Sequence, residues 1–165
     1  MKKMILTLLV ALPMSVFAQK FAHFNSAEII QAMPEYTAAQ TEMQTQTKQY
    51  EDELTRMQNE LRTKAEEYDK NAATMVDAVK QRREQELEDL NKRLQEYYQK
   101  SQQALQELQQ TKLSEITEKV TKAVKEVGAA GGYVYIMDVT SGIPYISDTL
   151  STDVTSQIKA KLGLK

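Results

Sequence analysis

Apolar residues recur along this chain with three rhythms. From Tyr36 to Val127 the rhythm is helical. Tyr36, Met43, Tyr50 and Met57 fall seven apart, and Leu54, Leu61, Tyr68 and Met75 continue the series offset by four. That spacing makes a narrow seam flanked by charge, the pattern of a coiled coil. The seam lapses at Lys64 and Asn71. A second seam starts with Leu87, Leu94 and Leu108, accompanied by Leu90, Tyr97 and Ala104, and ends on Leu113, Ile116, Val120, Ala123, Val124 and Val127. The step from Leu105 to Ile116 is eleven residues, so supercoiling should relax there. No Gly or Pro breaks the whole stretch. Two seams with a weak patch between them, Tyr68 to Glu84, suggest two helices. A single helix of about ninety residues would be roughly 140 Å long, whereas a hairpin would reach roughly 60–75 Å.

The second rhythm is a period of two. "KFAHFN" (Lys20 to Asn25) alternates briefly, and "SAEIIQAMPE" then reads as a short helix starting at Ser26 and ended by Pro34. Beyond the helices, "GAAGGYVYIMDVTSGIPYISDT" brings glycines and two β-branched and aromatic runs, Tyr133–Asp138 and Ile143–Ser147. These predict a strand hairpin. A lone two-stranded hairpin is marginal in water. The other strand candidate is Phe21–Asn25, and pairing it with the C-terminal strands brings both ends of the helical segment to one place. A helical hairpin does this within one chain and a continuous rod does not. The tail closes with Val154, Ile158 and Leu162 on one helical face, Ser151 or Asp153 as cap and Gly163 as stop.

The third rhythm is an apolar run from Met4 to Val10 and on to Phe17, behind Lys2 and Lys3 and closing on the small-residue positions Val16 and Ala18. That is the pattern of a secretory signal, with cleavage expected after Ala18. The expected organisation is therefore a signal at 1–18, a first strand and short helix at 19–35, a helical arm at 36–127 with its tip near 68–84, and C-terminal strands and helix at 128–165. The fold class is α+β: a small β-rich hub with a long protruding antiparallel helical hairpin. Three short strands leave apolar edges, which closed symmetric oligomers satisfy. Phe21, Phe24, Val134, Ile136 and Ile146 are the expected hub residues.

Composition narrows the function. Without its signal the chain loses Lys2 and Lys3, leaving 19 basic against 23 acidic residues, a net of −4. That mildly acidic balance argues against nucleic acid. There is no cysteine, so disulfides, thiolate chemistry and lipid attachment at a cysteine are out. The single histidine, His23, lies in the first strand and reads as a surface or hydrogen-bonded residue. No zinc spacing and no Gly-rich phosphate loop occurs, and Gly131–Gly132 reads as a helix-to-strand connector. An enzyme is not expected, nor a cofactor or catalytic residue.

The order of the parts resembles the Skp/OmpH family of periplasmic chaperones. The likeness covers residues 19–165 and rests on the ends: Phe21–Asn25, Tyr133–Asp138 with its Asp, Ile143–Ser147, and Asp153-Val154-Thr155. The resemblance implies a jellyfish-like homotrimer whose β-rich body holds three helical arms around a cavity. It implies an ATP-independent periplasmic holdase for unfolded outer-membrane proteins. The best-known members are strongly basic and this chain is not. A structural coiled-coil spacer of the cell envelope is the alternative reading.

Candidate contact residues follow from the arm. Met is adaptable and Tyr amphipathic, so Tyr68, Met75, Tyr97 and Tyr98 suit weak contact with many sequences, or else fill the seam. Tyr97 and Tyr98 point about 100° apart on a helix, so one of them must leave the seam. Lys80, Arg82 and Arg83 form a basic cluster near the expected tip. They suit weak contact with an anionic membrane surface or acidic client segments, or else pairing with Glu84 and Glu86 on a solvated helix face.

Overall fold

The structure is a computed structural model, and residues 19–165 are described. The signal expected at 1–18 lies outside them. A short strand, β1 (Lys20–Phe24), leads into helix α1 (Ser26–Ala32). Asn25 caps α1, its Oδ1 accepting from the Glu28 backbone N–H at 3.1 Å. Pro34 sits in the first turn of the next helix, α2 (Pro34–Asn71), where its missing N–H costs nothing. One 3₁₀ turn (Ala72–Thr74) reverses the chain into α3 (Asp77–Gly131). The two helices lie antiparallel, so the arm is a hairpin and its reversal falls at Ala72–Val76. At 1.5 Å per residue, α2 spans about 57 Å. Gly132 ends α3 in the left-handed region at φ 64°, with its N–H on the Gly128 carbonyl.

The sheet departs from expectation. Strand β2 (Tyr133–Asp138) pairs with β1, and so does β3, but β3 is Ser151–Asp153. The order is β2-β1-β3, parallel throughout. The predicted hairpin of Tyr133–Asp138 with Ile143–Ser147 does not form, and Ile143–Ser147 is not a strand. Two causes are visible. Pro144 has no N–H to give a ladder. A 3₁₀ turn at Val139–Ser141 followed by left-handed Gly142 turns the chain away from β2. Ser151 is therefore a strand residue and not a helix cap. The last helix, α4 (Thr155–Lys161), is headed by Asp153, whose Oδ1 accepts from the Thr155 N–H at 2.8 Å and hydroxyl at 2.6 Å. Gly163, at φ 72°, closes its far end.

A bulge shifts the faces of β2. Lys20 pairs with Tyr133 but Phe21 pairs with Tyr135, so Val134 is the extra residue. The slip puts Ile136 and Asp138 beside Ala22 and Phe24 on the inner face, and Tyr135 and Met137 beside Phe21 and His23 on the outer face. The inner face carries the core. Ile29, Met33, Val154 and Ile158 are fully buried there, joined by Ile116, Val120 and Ala123 from the base of α3.

Polar ties lock the strand ends. Asp138 Oδ1 accepts from the Ser26 N–H (3.2 Å) and the Thr140 N–H (3.0 Å), and its Oδ2 from the Thr140 hydroxyl (2.8 Å). The Asn25 N–H donates to Thr155 Oγ1 at 3.0 Å. The C-terminal ends of all three strands are thus tied together. Both carboxyl groups sit below the usual range. Burial pushes Asp138 up, and the bonds from Ser26 and Thr140 outweigh it. For Asp153 the Thr155 hydroxyl leads, partly opposed by burial, with further help from the Thr155 N–H and the His23 charge.

A depressed folded pKa stabilises above the unfolded value of about 3.9 and is lost as pH falls through the folded values. Urea midpoints should therefore hold from pH 7 to about 5 and fall steeply below about 4. Asp138→Ala should lower stability by about 1–3 kcal/mol, since it leaves the Ser26 N–H without its acceptor. It should also flatten the acid limb. An unchanged acid limb in that variant would discount the tie.

Candidate functional site

Two surfaces of this chain carry exposed side chains that a folded monomer does not need. One is the outer face of the sheet. Phe21 and Tyr135 stack there with ring centroids 6.4 Å apart and planes within 6°. Tyr135 is 60 % exposed and Met137 49 %. The segment from Ile143 to Leu150 crosses this face and leaves a groove of about 210 Å³ against Phe21, Tyr135 and Met137. His23 lines the groove, with Nδ1 at 2.8 Å from Ser151 Oγ. The five residues expected in the hub therefore divide. Phe24 is buried in the chain's own core, and Ile136 packs against that core near Gly128. Phe21 and Ile146 line the outer groove, and Val134 is exposed at the bulge.

The other surface is the arm. Its seam is thin: between the core and the tip only Leu90 and Ser101 are buried. The seam positions of α2, Met43, Tyr50, Met57 and Leu61, are half-buried. Ser101 brings little bulk, and its hydroxyl bonds the Tyr98 carbonyl at 2.9 Å. Where the apolar repeat lapses, charge fills the seam: Lys64 on α2 pairs with Glu86 on α3. Arg83 joins at 2.7 Å. The Lys64 bond first, then Arg83, hold the Glu86 carboxyl down to about 2.

A family model described as "Outer membrane protein (OmpH-like)" matches residues 20–162. The chain belongs to the OmpH-like family. A crystal structure of a proposed OmpH-like outer membrane chaperone from Caulobacter crescentus CB15 superposes with a TM-score of 0.74 at 18 % identity, covering 87 % of this chain and 83 % of that one. No curated protein matches the chain. Among the described residues no helix of this OmpH-like chain is long and apolar enough to cross a membrane.

The expected arm residues fall in different settings. Tyr97 is a seam residue, edge-on to Tyr50 with centroids 6.1 Å apart and planes at 69°. Burial, and to a lesser degree the Glu53 charge, push its phenol up. Tyr98 points outward and is 54 % exposed. Tyr68 donates to Glu84 across the hairpin, which pushes its phenol up to about 12. Met75 is half-buried at the reversal. Lys80 and Arg82 are exposed, and Arg83 is engaged with Glu86. Sequence reasoning named Lys64 only as a lapse in the seam and Glu86 only as a partner for the basic cluster, and it passed over Ser101. The lapse in the repeat was the signal for Lys64, and the two seven-residue steps from Leu94 to Leu108 meet at Ser101.

Glu86→Gln removes the charge that both cations share. Amide hydrogen exchange between Lys64 and Leu87 should quicken while exchange around Ile116 and Val120 stays as it was. An unchanged pattern near the tip would show that the pair does not hold the distal arm.

Proposed function

We propose that this OmpH-like protein is an ATP-independent periplasmic holdase. It keeps unfolded outer-membrane proteins apart by enclosing them between helical arms, and acts as a homotrimer joined through its small sheet. The observation that carries the reading is the build of the arm. It is a long antiparallel helical hairpin with a thin seam, rooted in one small core, so it has far more surface than it buries. An unfolded client loses conformational entropy on binding, and many weak contacts along a flexible arm limit that loss at each one. Family membership supports the same reading. The groove and stacked aromatics on the outer sheet face support assembly there. An envelope spacer would use one continuous helix per subunit, and the reversal at Ala72–Val76 removes the basis for it.

On this reading Tyr98 is the arm's aromatic contact, with Tyr68 and Met75 secondary because both are tied into the hairpin. The basic tip, Lys80, Arg82 and Arg83, contributes weak attraction to anionic membrane or acidic clients. Export follows from the signal pattern at residues 1–18, with cleavage after Ala18.

The mature protein, without nucleotide, should keep a urea-unfolded outer-membrane β-barrel protein soluble on dilution, read by light scattering. Raising salt across the physiological range should weaken holding only slightly, because exposed charges are already screened over about 8 Å. Tyr98→Ser should cost more holding than changing Lys80, Arg82 and Arg83 to Gln. Steep loss in salt, with the reverse order of variants, would make the basic tip the grip. Absence of holding toward any unfolded barrel protein would sink the reading.

Assembly has its own check. Tyr135→Ser with Met137→Ser should lower the sedimenting mass and leave the helical circular dichroism intact, because both lie on the outer face. Ile136→Asp should unfold the chain instead, since it buries a charge beside Gly128. Full-mass assembly of the Tyr135/Met137 variant would remove the outer face from the interface.

A further inference from the structure

Charge is unevenly spread along the arm. Thr37–Thr47, "TAAQTEMQTQT", holds one charged residue, Glu42, and Ser101–Thr111, "SQQALQELQQT", holds one, Glu107. The distal stretch Thr55–Lys70 is far denser, with Arg56, Glu60, Arg62, Lys64, Glu66, Glu67, Asp69 and Lys70. The two stretches are staggered on the hairpin and overlap in part: Glu42, in the middle of the first, meets Lys112, just beyond the second. The Glu42–Lys112 ion pair, at 2.9 Å, and the Tyr50–Tyr97 contact fix that register. That ion pair also neutralises Glu42. The other charge, Glu107, accepts from Gln103 Nε2 at 2.7 Å. The two staggered bands together make a charge-poor collar of Gln, Thr and Ala above the base of the arm.

At the base of the collar the helices leave a groove of about 510 Å³, more than twice the volume of the one on the outer sheet face. Tyr36, Met43, Leu113 and Ile116 line it, with Gln40 and Gln109 beside them and one charged residue, Lys112, already paired with Glu42. Leu113 is 44 % exposed, an apolar side chain open to water on a helix that otherwise turns its leucines inward. Glutamine amides both donate and accept, so they can meet the N–H and C=O groups that an unfolded chain leaves unpaired. Seating a chain here strips no water from a lone charge, whereas the distal arm would require that. The charge match selects an uncharged occupant.

We propose that this collar groove is the principal client-contact site, and that its occupant is an uncharged extended segment with alternating apolar side chains. Strands of a membrane β-barrel have that pattern. The proposal deepens the holdase reading and names the part of the arm that grips.

The test uses the mature full chain and two variants of equal charge change. Gln40→Glu, Gln44→Glu and Gln109→Glu place acid around the groove, and Gln58→Glu, Gln81→Glu and Gln95→Glu place it on exposed distal positions. Helical circular dichroism and sedimentation check that both fold and assemble as the parent does. The collar variant should need at least fivefold more protein to hold an unfolded barrel client, while the distal variant matches the parent. A labelled, capped, uncharged peptide of alternating apolar and Ser/Thr residues should bind the parent, and at least tenfold more weakly the collar variant. The peptide arm separates this proposal from the holdase reading. Peptide binding lost only in the collar variant supports the groove even if barrel clients are not held. Equal losses in both variants, or none, would overturn it. So would a change in sedimenting mass confined to the collar variant, which would make the groove a contact between copies.

Discussion

One five-residue strand holds this protein together. β1 sits between β2 and β3 and satisfies both with its own N–H and C=O groups. Its partners come from more than a hundred residues away in sequence, so the pairing closes the chain on itself. Because β1 is parallel to both neighbours, all three strands finish on the same side. There Asn25, Asp138, Asp153 and Thr155 form their ties. The inner face of the same strand, Ala22 and Phe24, is the floor on which α1, α4 and the base of α3 pack. Without β1 the sheet is lost, since β2 and β3 each pair only with it, and the covering helices lose their floor.

The arm is built on the opposite principle. Full burial is concentrated at its base, in Ile116, Val120, Ala123 and Val127, and then thins to scattered positions. Burial of apolar area is the main stabilising term, so opening free energy should fall along the arm toward the tip. Charged ties take over where apolar burial stops. Lys64, Glu86 and Arg83 secure the distal turns, and Tyr68 reaches Glu84 beside them. Such exposed pairs are individually weak, so the distal arm is held together and still free to bend.

The division of labour follows from where each side chain has water to lose. The sheet keeps its inner face for folding and leaves an aromatic outer face unspent. The arm keeps its seam residues, Tyr50 and Tyr97 among them, and leaves Tyr98, Leu113 and the glutamine collar outward. A chain of net acidic balance cannot rely on broad attraction to acidic partners. On the proposed reading, local distribution of charge and its absence then carries the discrimination.

The helical hairpin was legible in the sequence because the seven-residue repeat is a local property: it needs only the spacing of Tyr36, Met43, Tyr50 and their counterparts after Leu87. The lapse at Lys64 was visible too, though not that Glu86 would fill it, since the register between helices is set by the turn at Ala72–Val76. The conflict between Tyr97 and Tyr98 was readable from 100° geometry, but only the facing Tyr50 decided which one went in. The sheet was the least legible part. Ile143–Ser147 has strand composition and is not a strand, whereas Ser151–Asp153 has little strand signal and is one. Strand pairing is non-local. β1 offers an open edge, and the segment that reaches it in register wins, whatever its propensity. The bulge at Val134 is of the same kind, since one extra residue exchanges the faces of everything after it. The sequence by itself determined the helices, their seam and the meeting of the chain's two ends. Which short strand pairs where, and which aromatic faces out, depended on partners brought close only by the fold.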